Sequence, residues 1–250
     1  MKSLPSLSAF VILLFAFGIQ LTAKLPNIIF IMVDDMGYHD LGCYGSKTIK
    51  TPNIDRMAKE GIRFTDCYSG DTVCASARST LMTGYHKGHT PVRGNSGGIP
   101  LFPEDITVAE VLKKAGYVNG GFGKWGLGNQ GKDGAAERQG FDLFYGYYNQ
   151  WHAHTYYTHL FRNSKKVELN GRYTHHAIFD ETIKFIKKNK NKPFFLYLAH
   201  SMPHIPLYAS DEFLGSSSGG LYSDVIEEID WSVGQVLNAL KENNLDKYYY

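Results

Sequence analysis

The segment LPNIIFIMVDD (residues 25–35) is a near-continuous run of apolar residues, several of them β-branched, that stops at two aspartates. Such a run is typical of a strand that is buried on both faces of a parallel sheet, because a half-exposed strand would alternate apolar and polar residues. Asp34 and Asp35 then lie at the carboxyl end of this strand, where open α/β sheets bind their ligands. The segment therefore predicts both a fold class and the position of a site.

Helical and strand-like patterns alternate along the rest of the chain. Residues 126–172 are rich in glycine and aromatic residues and predict irregular structure. Strands that alternate with helices indicate an α/β fold with a mostly parallel central sheet and helices on both faces. The predicted helices span residues 51–61, 76–83, 104–116, 175–192 and 223–244, and the further strands span residues 117–123 and 193–200.

The first 23 residues have the plan of a secretory signal peptide. Lys2 precedes an apolar run from Ala9 to Leu21, and the small residue Ala23 follows. The run is shorter than the roughly 20 residues that a membrane-spanning helix needs. We therefore expect a signal peptide at residues 1–23, a mature chain from residue 24 to 250, and a periplasmic or secreted protein that has left the membrane after cleavage.

Composition limits the class of partner and the number of domains. A chain of 250 residues can bury a sizeable core and forms one large domain or at most two small ones. The formal net charge of +2 is too balanced for a protein that binds nucleic acid or an acidic membrane surface. An anionic substrate would therefore have to be bound by a local group of charges.

The chain has three cysteines, Cys43, Cys67 and Cys74, so at most one internal disulfide can form. No C-x-x-C pair is present, which argues against a zinc or dithiol redox site. Cys74 stands in VCASARSTLMTGYH (residues 73–86), with Arg78 one helical turn later. From these residues alone, Cys74 is a packing residue, a disulfide half, a nucleophile or the precursor of a modified side chain.

Polar side chains follow three of the predicted strands: Asp34 with Asp35, then Lys124, then His200 with His204. Two adjacent carboxylates repel each other unless a cation offsets them, and Ca²⁺ or Mg²⁺ would do so. A pair of turn or helix-capping aspartates is the alternative. Lysine, arginine and a histidine together would line the same crevice for a tetrahedral oxyanion, although each of them singly has an ordinary structural explanation.

These segments, in this order and spacing, resemble the formylglycine-dependent sulfatases of the alkaline-phosphatase-like superfamily. The resemblance extends over nearly all of the mature chain, and it implies an alkaline-phosphatase-like sandwich and a sulfuric ester hydrolase that acts on aryl or carbohydrate sulfates. The segments that carry it are PNIIFIMVDDMG, TPNIDRMAKEGIRF, CASARSTLMTG, GFGKWGLG, FFLYLAHSMPHIP and IEEIDWSVGQVLNALKE.

The resemblance also implies a role for each matching residue. Cys74 would be oxidised by a separate maturation enzyme to Cα-formylglycine, and one hydroxyl of the hydrated aldehyde would attack sulfur. Asp34, Asp35 and the oxidised Cys74 would hold Ca²⁺, or Mg²⁺. Arg78 would steady the hydrate and Lys124 would bridge it to the sulfate. His204 would contact the sulfate and donate a proton near the leaving oxygen.

The chain departs from the family pattern in three places. Ser76 replaces the usual proline two positions after the cysteine, and Gly126 replaces a histidine that often follows G-K-W. The Asp-Asn pair that completes the metal site in the family does not follow the last helix. We therefore expect a truncated N-terminal catalytic domain (residues 24–250), with the C-terminal part missing, that is inactive when expressed alone.

Two other functions stay open at this point. A phosphonate or phosphodiester hydrolase of the same superfamily would use the same aldehyde and a similar metal. A non-catalytic, truncated binding protein would explain Ser76 and Gly126. A hydrolase that uses the Cys74 thiol directly is the least favoured, because no motif places a base beside it. The expected partners are a sulfated small molecule or polysaccharide and the maturation enzyme.

Overall fold

The computed structural model describes residues 25–95 and 98–247, and the predicted signal peptide lies outside them. The described residues form a six-stranded sheet with the strand order β1-β6-β2-β3-β4-β5. The first four strands of this order run parallel, whereas β4 and β5 are antiparallel to their neighbours. The strands are β1 (Ile28–Asp34), β2 (Val118–Lys124), β3 (Leu143–Tyr147), β4 (Leu160–Arg162), β5 (Lys165–Val167) and β6 (Phe194–Pro203).

Five α-helices accompany the sheet, and local sequence signals mark their ends. Pro52 occupies the first turn of α1 and Gly61 follows its last residue. Thr107 and Glu110 form a capping box before α3, in which each side chain accepts a hydrogen bond from the other's backbone N–H. None of the helices in the described ranges is both long and apolar enough to cross a membrane. The helices are α1 (Pro52–Glu60), α2 (Cys74–Thr83), α3 (Val108–Lys114), α4 (Thr174–Asn189) and α5 (Leu221–Glu242).

The central strand β6 builds a core on each face of the sheet. Phe195 and Tyr197 join one buried cluster, which also contains residues of α2 and α3. Leu196 and Leu198 point to the opposite face and join a second cluster with residues of α4 and α5. Successive side chains of a strand point to opposite faces, so one apolar strand serves both layers. The predicted α/β fold with helices on both faces is confirmed.

The predicted burial of β1 on both faces holds only in part for the described residues: Ile28 and Met32 pack against one core cluster and Ile29 and Ile31 against the other, but these side chains are only partly buried. β1 lies at the edge of the sheet and pairs with β6 on one side. Most of its side chains are half-buried, and Phe30 is 40% exposed. A strand with a neighbour on one side alone remains open to solvent along its other border, however apolar its sequence is.

The predicted irregular region, residues 126–172, contains three strands, β3, β4 and β5. The prediction of irregular structure is wrong here, because some of these glycines allow close backbone packing between strands and do not form turns. Gly146 of β3 lies opposite Gly123 of β2, and a Cβ at Gly146 would collide with the Gly123 carbonyl oxygen. The helix predicted from Ser76 also begins two residues earlier, at Cys74.

Candidate active site

Three buried charges meet at the carboxyl ends of β1 and β2. Lys124 Nζ donates to Asp34 Oδ2 at 2.5 Å, and Arg78 Nη2 lies 3.5 Å from Asp34 Oδ1. The side chains of both cations are 0% exposed, and that of Asp34 is 5% exposed. Burial alone would raise the pKa of Asp34, but the charges of Arg78 and Lys124 hold it below its usual value. Asp34 is therefore an ionised carboxylate shared by two buried cations.

Arg78 is held by neighbours that leave part of its guanidinium free. Its Nη1 donates to the backbone oxygen of Lys124 at 2.7 Å and to the Tyr197 hydroxyl at 3.1 Å. Within the described residues, Arg78 Nε and Nη2 have no hydrogen-bond acceptor. Tyr197 has no recognisable signal in the sequence, because a tyrosine in an apolar strand is explained equally well by core packing. Two buried donors of Arg78 therefore make no hydrogen bond, although Nη2 lies within ion-pair distance of Asp34, and both can donate to a further anion.

Asp34, Asp35 and Cys74 form a group that could hold a metal ion. One carboxylate oxygen from each aspartate and the Cys74 sulfur lie within 4.8 Å of one another. Asp35 has a left-handed backbone, with φ at 66°, and its side chain is 55% exposed. Cys74 is the first residue of α2 and is half-buried. Carboxylate oxygens suit Ca²⁺ or Mg²⁺ and a thiol sulfur does not, so oxygen at residue 74 would fit this group better than sulfur.

Two stacked histidines form the next wall of the site. His204 Nε2 lies 3.5 Å from Asp35 Oδ2, and its ring stacks on His154 with the ring centroids 3.8 Å apart. His154 Nε2 is 3.2 Å from Lys124 Nζ. Burial, followed by the nearby Lys124 charge, lowers the pKa of His154 to about 4. His154 is therefore neutral at neutral pH and accepts a hydrogen bond from Lys124.

His154 is the residue of the site that the sequence analysis missed. It belongs to the short 3₁₀ turn His152–His154, inside the region predicted to be irregular. The available signal was the pair of histidines in QWHAHTY, which the aromatic content of the segment obscured.

His200 does not join the site, contrary to its predicted place beside His204. Strand β6 continues to Pro203, so His200 lies within the strand and not in the loop that follows it. It is buried, and its Nε2 lies 3.3 Å from the hydroxyl oxygen of Ser232 on α5. The other predicted residues do lie together: Asp34, Asp35, Cys74, Arg78, Lys124 and His204.

His200 instead lines a small cavity between α4, α5 and β6, together with His175, His176 and Glu228. Glu228 Oε2 accepts a hydrogen bond of 2.9 Å from the backbone N–H of Ser210. Burial nevertheless raises the pKa of Glu228 to about 7. Burial also lowers the pKa of His200 to about 4 and that of His175 well below its usual value. The cavity thus holds neutral histidines beside a carboxyl group that titrates near neutrality.

Glu228→Gln is expected to remove a pH dependence of stability. The raised pKa means that the folded protein binds this proton more tightly than the unfolded chain does. The associated stabilisation is complete below the unfolded pKa and is lost as the pH rises through about 7. Between pH 5 and 8, chemical denaturation should show the wild-type unfolding free energy falling relative to the variant by about 2 to 3 kcal/mol.

Buried His175 and His200 are common to both proteins, and His176 Nε2 lies 3.9 Å from Glu228 Oε1, so the difference curve reports Glu228 together with this contact. Exposed Glu242, at the end of the same helix, supplies the control Glu242→Gln, which should follow the wild-type curve. Parallel curves for wild type and Glu228→Gln would contradict the expected titration.

Ser76 has a structural role of its own at the start of α2. It is buried, and its hydroxyl donates to Asp71 and lies 3.1 Å from the Val73 carbonyl oxygen. Asp71 also pairs with Lys87 Nζ at 2.6 Å. Hydrogen bonds from Lys87 and then Ser76 lower the pKa of Asp71 to about 2. Ser76 therefore ties the loop before Cys74 to α2, a contact that proline could not make.

Gly126 has a left-handed backbone, with φ at 76°. A Cβ at this position would collide with the side-chain amide of Gln150. Gln150 Nε2 lies 3.4 Å from the Gly126 carbonyl oxygen. The Gln150 amide therefore occupies the space that the Cβ of a larger residue at position 126 would need.

Comparison with known proteins identifies the family. The family model described as Sulfatase matches residues 26–250. The chain is 35% identical over 254 residues to human N-acetylgalactosamine-6-sulfatase, covering 87% of this chain and 47% of that protein. It is 33% identical over 256 residues to human arylsulfatase A, covering 89% of this chain and 50% of that protein.

Solved structures agree with this match. The crystal structure of Ps i-CgsB in complex with k-i-k-neocarrahexaose has a TM-score of 0.81 and 31% identity, over 90% of this chain and 57% of that one. The phosphonate monoester hydrolase of Agrobacterium radiobacter has a TM-score of 0.63 and 19% identity over 90% of this chain and 61% of that one, which shows the shared fold alone. The chain spans about half the length of the curated relatives that it matches. By sequence and by fold, the chain belongs to the sulfatase family.

Proposed function

We propose that this chain carries the nucleophile and the anion-binding residues of a sulfuric ester hydrolase that cleaves aryl or carbohydrate sulfates. One observation carries the proposal: two fully buried cations, Arg78 and Lys124, converge on the group formed by Asp34, Asp35 and Cys74. Buried cations are costly unless anions compensate them, so a site with spare cationic donors is suited to an anionic substrate. The names of the relatives, N-acetylgalactosamine-6-sulfatase and arylsulfatase A, support the same reaction.

Cys74 is the residue we propose for the nucleophile, after oxidation by a maturation enzyme to Cα-formylglycine. The oxidised side chain would supply a hydrated aldehyde with oxygen atoms in place of the thiol sulfur. Its position at the first residue of α2 places it at the positive end of a helix, which favours a developing negative charge. Asp34 and Asp35 would hold Ca²⁺ beside it, with Mg²⁺ as the other candidate.

Arg78, Lys124 and His204 then act on the ester and on residue 74. Arg78 offers Nε and Nη2, which have no acceptor within the described residues, to oxygen atoms at residue 74 or on the sulfate. Lys124 lies between Asp34 and neutral His154, so its charge is fixed at the floor of the site. His204 lies near Asp35 at the more open side, where a proton would be needed by the leaving oxygen.

Comparison of two substrate classes tests the reaction. The protein is produced together with a formylglycine-generating enzyme, as residues 1–250 and as any longer product of the same gene, and is supplied with Ca²⁺. The rate of p-nitrophenol release from p-nitrophenyl sulfate is compared with the rate from bis-p-nitrophenyl phosphate. We expect faster cleavage of the sulfate by the longer product and none by residues 1–250 alone.

Two outcomes would contradict the proposal. Faster cleavage of the phosphodiester would assign the chain to the phosphonate or phosphodiester branch. If neither residues 1–250 nor the longer protein releases sulfate from the esters that it binds, although Cys74 is oxidised, the chain is a non-catalytic binding protein.

A further inference from the structure

We propose that a groove beside the candidate active site binds the neighbouring sugars of a sulfated oligosaccharide, with Trp151 as the stacking platform. The inference rests on the proposed function and narrows its substrate class to sulfated oligosaccharides or polysaccharides, in preference to monosaccharide or aryl sulfates. This Trp151 groove is lined, among others, by Ala75, Asn95, Gly126, Lys132, Gln150 and Trp151.

The lining of the Trp151 groove includes near neighbours, along the chain, of candidate active-site residues. Ala75 directly follows Cys74, and Gly126 lies two residues after Lys124. Trp151 precedes the 3₁₀ turn that carries His154, the residue in contact with Lys124. A substrate whose sulfate lay at Cys74 would therefore extend its next residues along this groove.

Trp151 is 85% exposed, whereas Trp125 is 1% exposed and belongs to the core. The backbone of Trp151 is held in its turn, because its N–H donates to the side-chain oxygen of Asn149 at 2.8 Å. The turn is also anchored by His152, whose ring meets Tyr147 edge-on. An exposed indole has an apolar face with an N–H at its edge, which suits the C–H face and the hydroxyls of a sugar ring.

The wall of the Trp151 groove has polar groups that suit a carbohydrate. Gln150 Oε1 is buried and has no hydrogen-bond donor within the described residues. A buried acceptor of this kind is normally satisfied, and a sugar hydroxyl is a donor of the right type. Gly126 lets this amide lie close to the backbone, because a Cβ at position 126 would collide with it.

Lys132 gives the outer part of the Trp151 groove a positive charge. It is exposed, and no ion pair involves it in the part of the chain that the structure describes. Its neighbour Asp133 is already paired with Arg138 at 3.0 Å. A second sulfate or a carboxylate on the oligosaccharide would therefore find a cation that is not neutralised locally.

Isothermal titration calorimetry on residues 1–250 tests the inference without relying on catalysis. The probes are hexasaccharides of chondroitin 6-sulfate and of ι-carrageenan, and the sulfated monosaccharide of each. We expect one hexasaccharide to bind about tenfold more tightly than its monosaccharide, and Trp151→Ala to abolish this difference. Lys132→Ala should weaken the hexasaccharide more at low ionic strength than at high.

Phe64→Ala is the matched control, since Phe64 is 61% exposed and does not line the Trp151 groove. It should retain the wild-type preference for the hexasaccharide. Equal binding of monosaccharide and hexasaccharide, or an unchanged preference in Trp151→Ala, overturns the inference and leaves the proposed function standing. A wild-type protein that binds none of the four probes also overturns the inference, whereas the proposed function is decided separately by sulfate release from the longer gene product.

Discussion

Asp34→Asn is expected to destabilise the protein by about 3 to 5 kcal/mol, because it leaves two buried cations without their counter-charge. Asp34 is the carboxylate shared by Lys124, at 2.5 Å, and Arg78, at 3.5 Å. Asparagine has nearly the same shape and can still accept one hydrogen bond, so the loss comes from charge and not from a cavity. The effect is large because none of the three side chains is exposed enough for water to solvate it.

Chemical denaturation in the presence of a chelator measures this effect apart from metal binding. Asp35→Asn is the matched control: it changes the neighbouring residue in the same way, but the Asp35 side chain is 55% exposed. We expect the control to remain within about 0.5 kcal/mol of the wild type. Equal stability of Asp34→Asn and the wild type would show that the buried charges are not coupled as described.

Cys74→Ala is expected to abolish aldehyde formation completely, because residue 74 is the proposed substrate of the maturation enzyme. After expression together with that enzyme, one sample of the protein is treated with a hydrazide probe. The mass of the Cys74 peptide is measured by mass spectrometry on an untreated sample. Conversion replaces sulfur with oxygen and removes two hydrogens, so the mass identifies it directly. Cys43, Cys67 and Cys74 are all free in the structure.

Exposed Cys67 supplies the control, and Cys67→Ala should be labelled as strongly as the wild type. Ser76→Pro adds a third comparison. Position 76 is the third residue of α2, where a backbone N–H has no acceptor within the helix, so proline is tolerated there. We expect this variant to be converted more fully, because it restores the proline of the family motif. An unmodified Cys74 thiol in the wild type and in Ser76→Pro would contradict the proposed nucleophile.

Much of this arrangement could be predicted from sequence, because its signals are periodic or lie at strand ends. Asp34 and Lys124 end their strands, and the carboxyl ends of parallel strands meet at one edge of the sheet. Their direct contact could not be predicted, since it depends on the register of β1, β6 and β2. The roles of Asp34, Asp35, Cys74, Arg78, Lys124 and His204 remain predictions.

The errors and omissions have physical causes. The predicted position of His200 is wrong because β6 continues three residues beyond it, to Pro203. His200 therefore lies inside the strand, and the loop begins later than expected. His154 was missed because a short turn has no periodicity to reveal it. Tyr197 was missed because its hydroxyl function is invisible in an otherwise apolar strand. In each case a tertiary contact, and not a local pattern, determines the role.

The position of β1 at the border of the sheet has a consequence for self-association. An edge strand presents a row of backbone N–H and C=O groups that another strand can join, and proteins usually block such rows with charges, prolines or bulges. Residues 28–33 of β1 contain no charge and no proline, and the irregular register falls only between Met32 and Asp34. Unless another strand covers this border, two copies of the chain can pair through it, edge to edge, at high concentration.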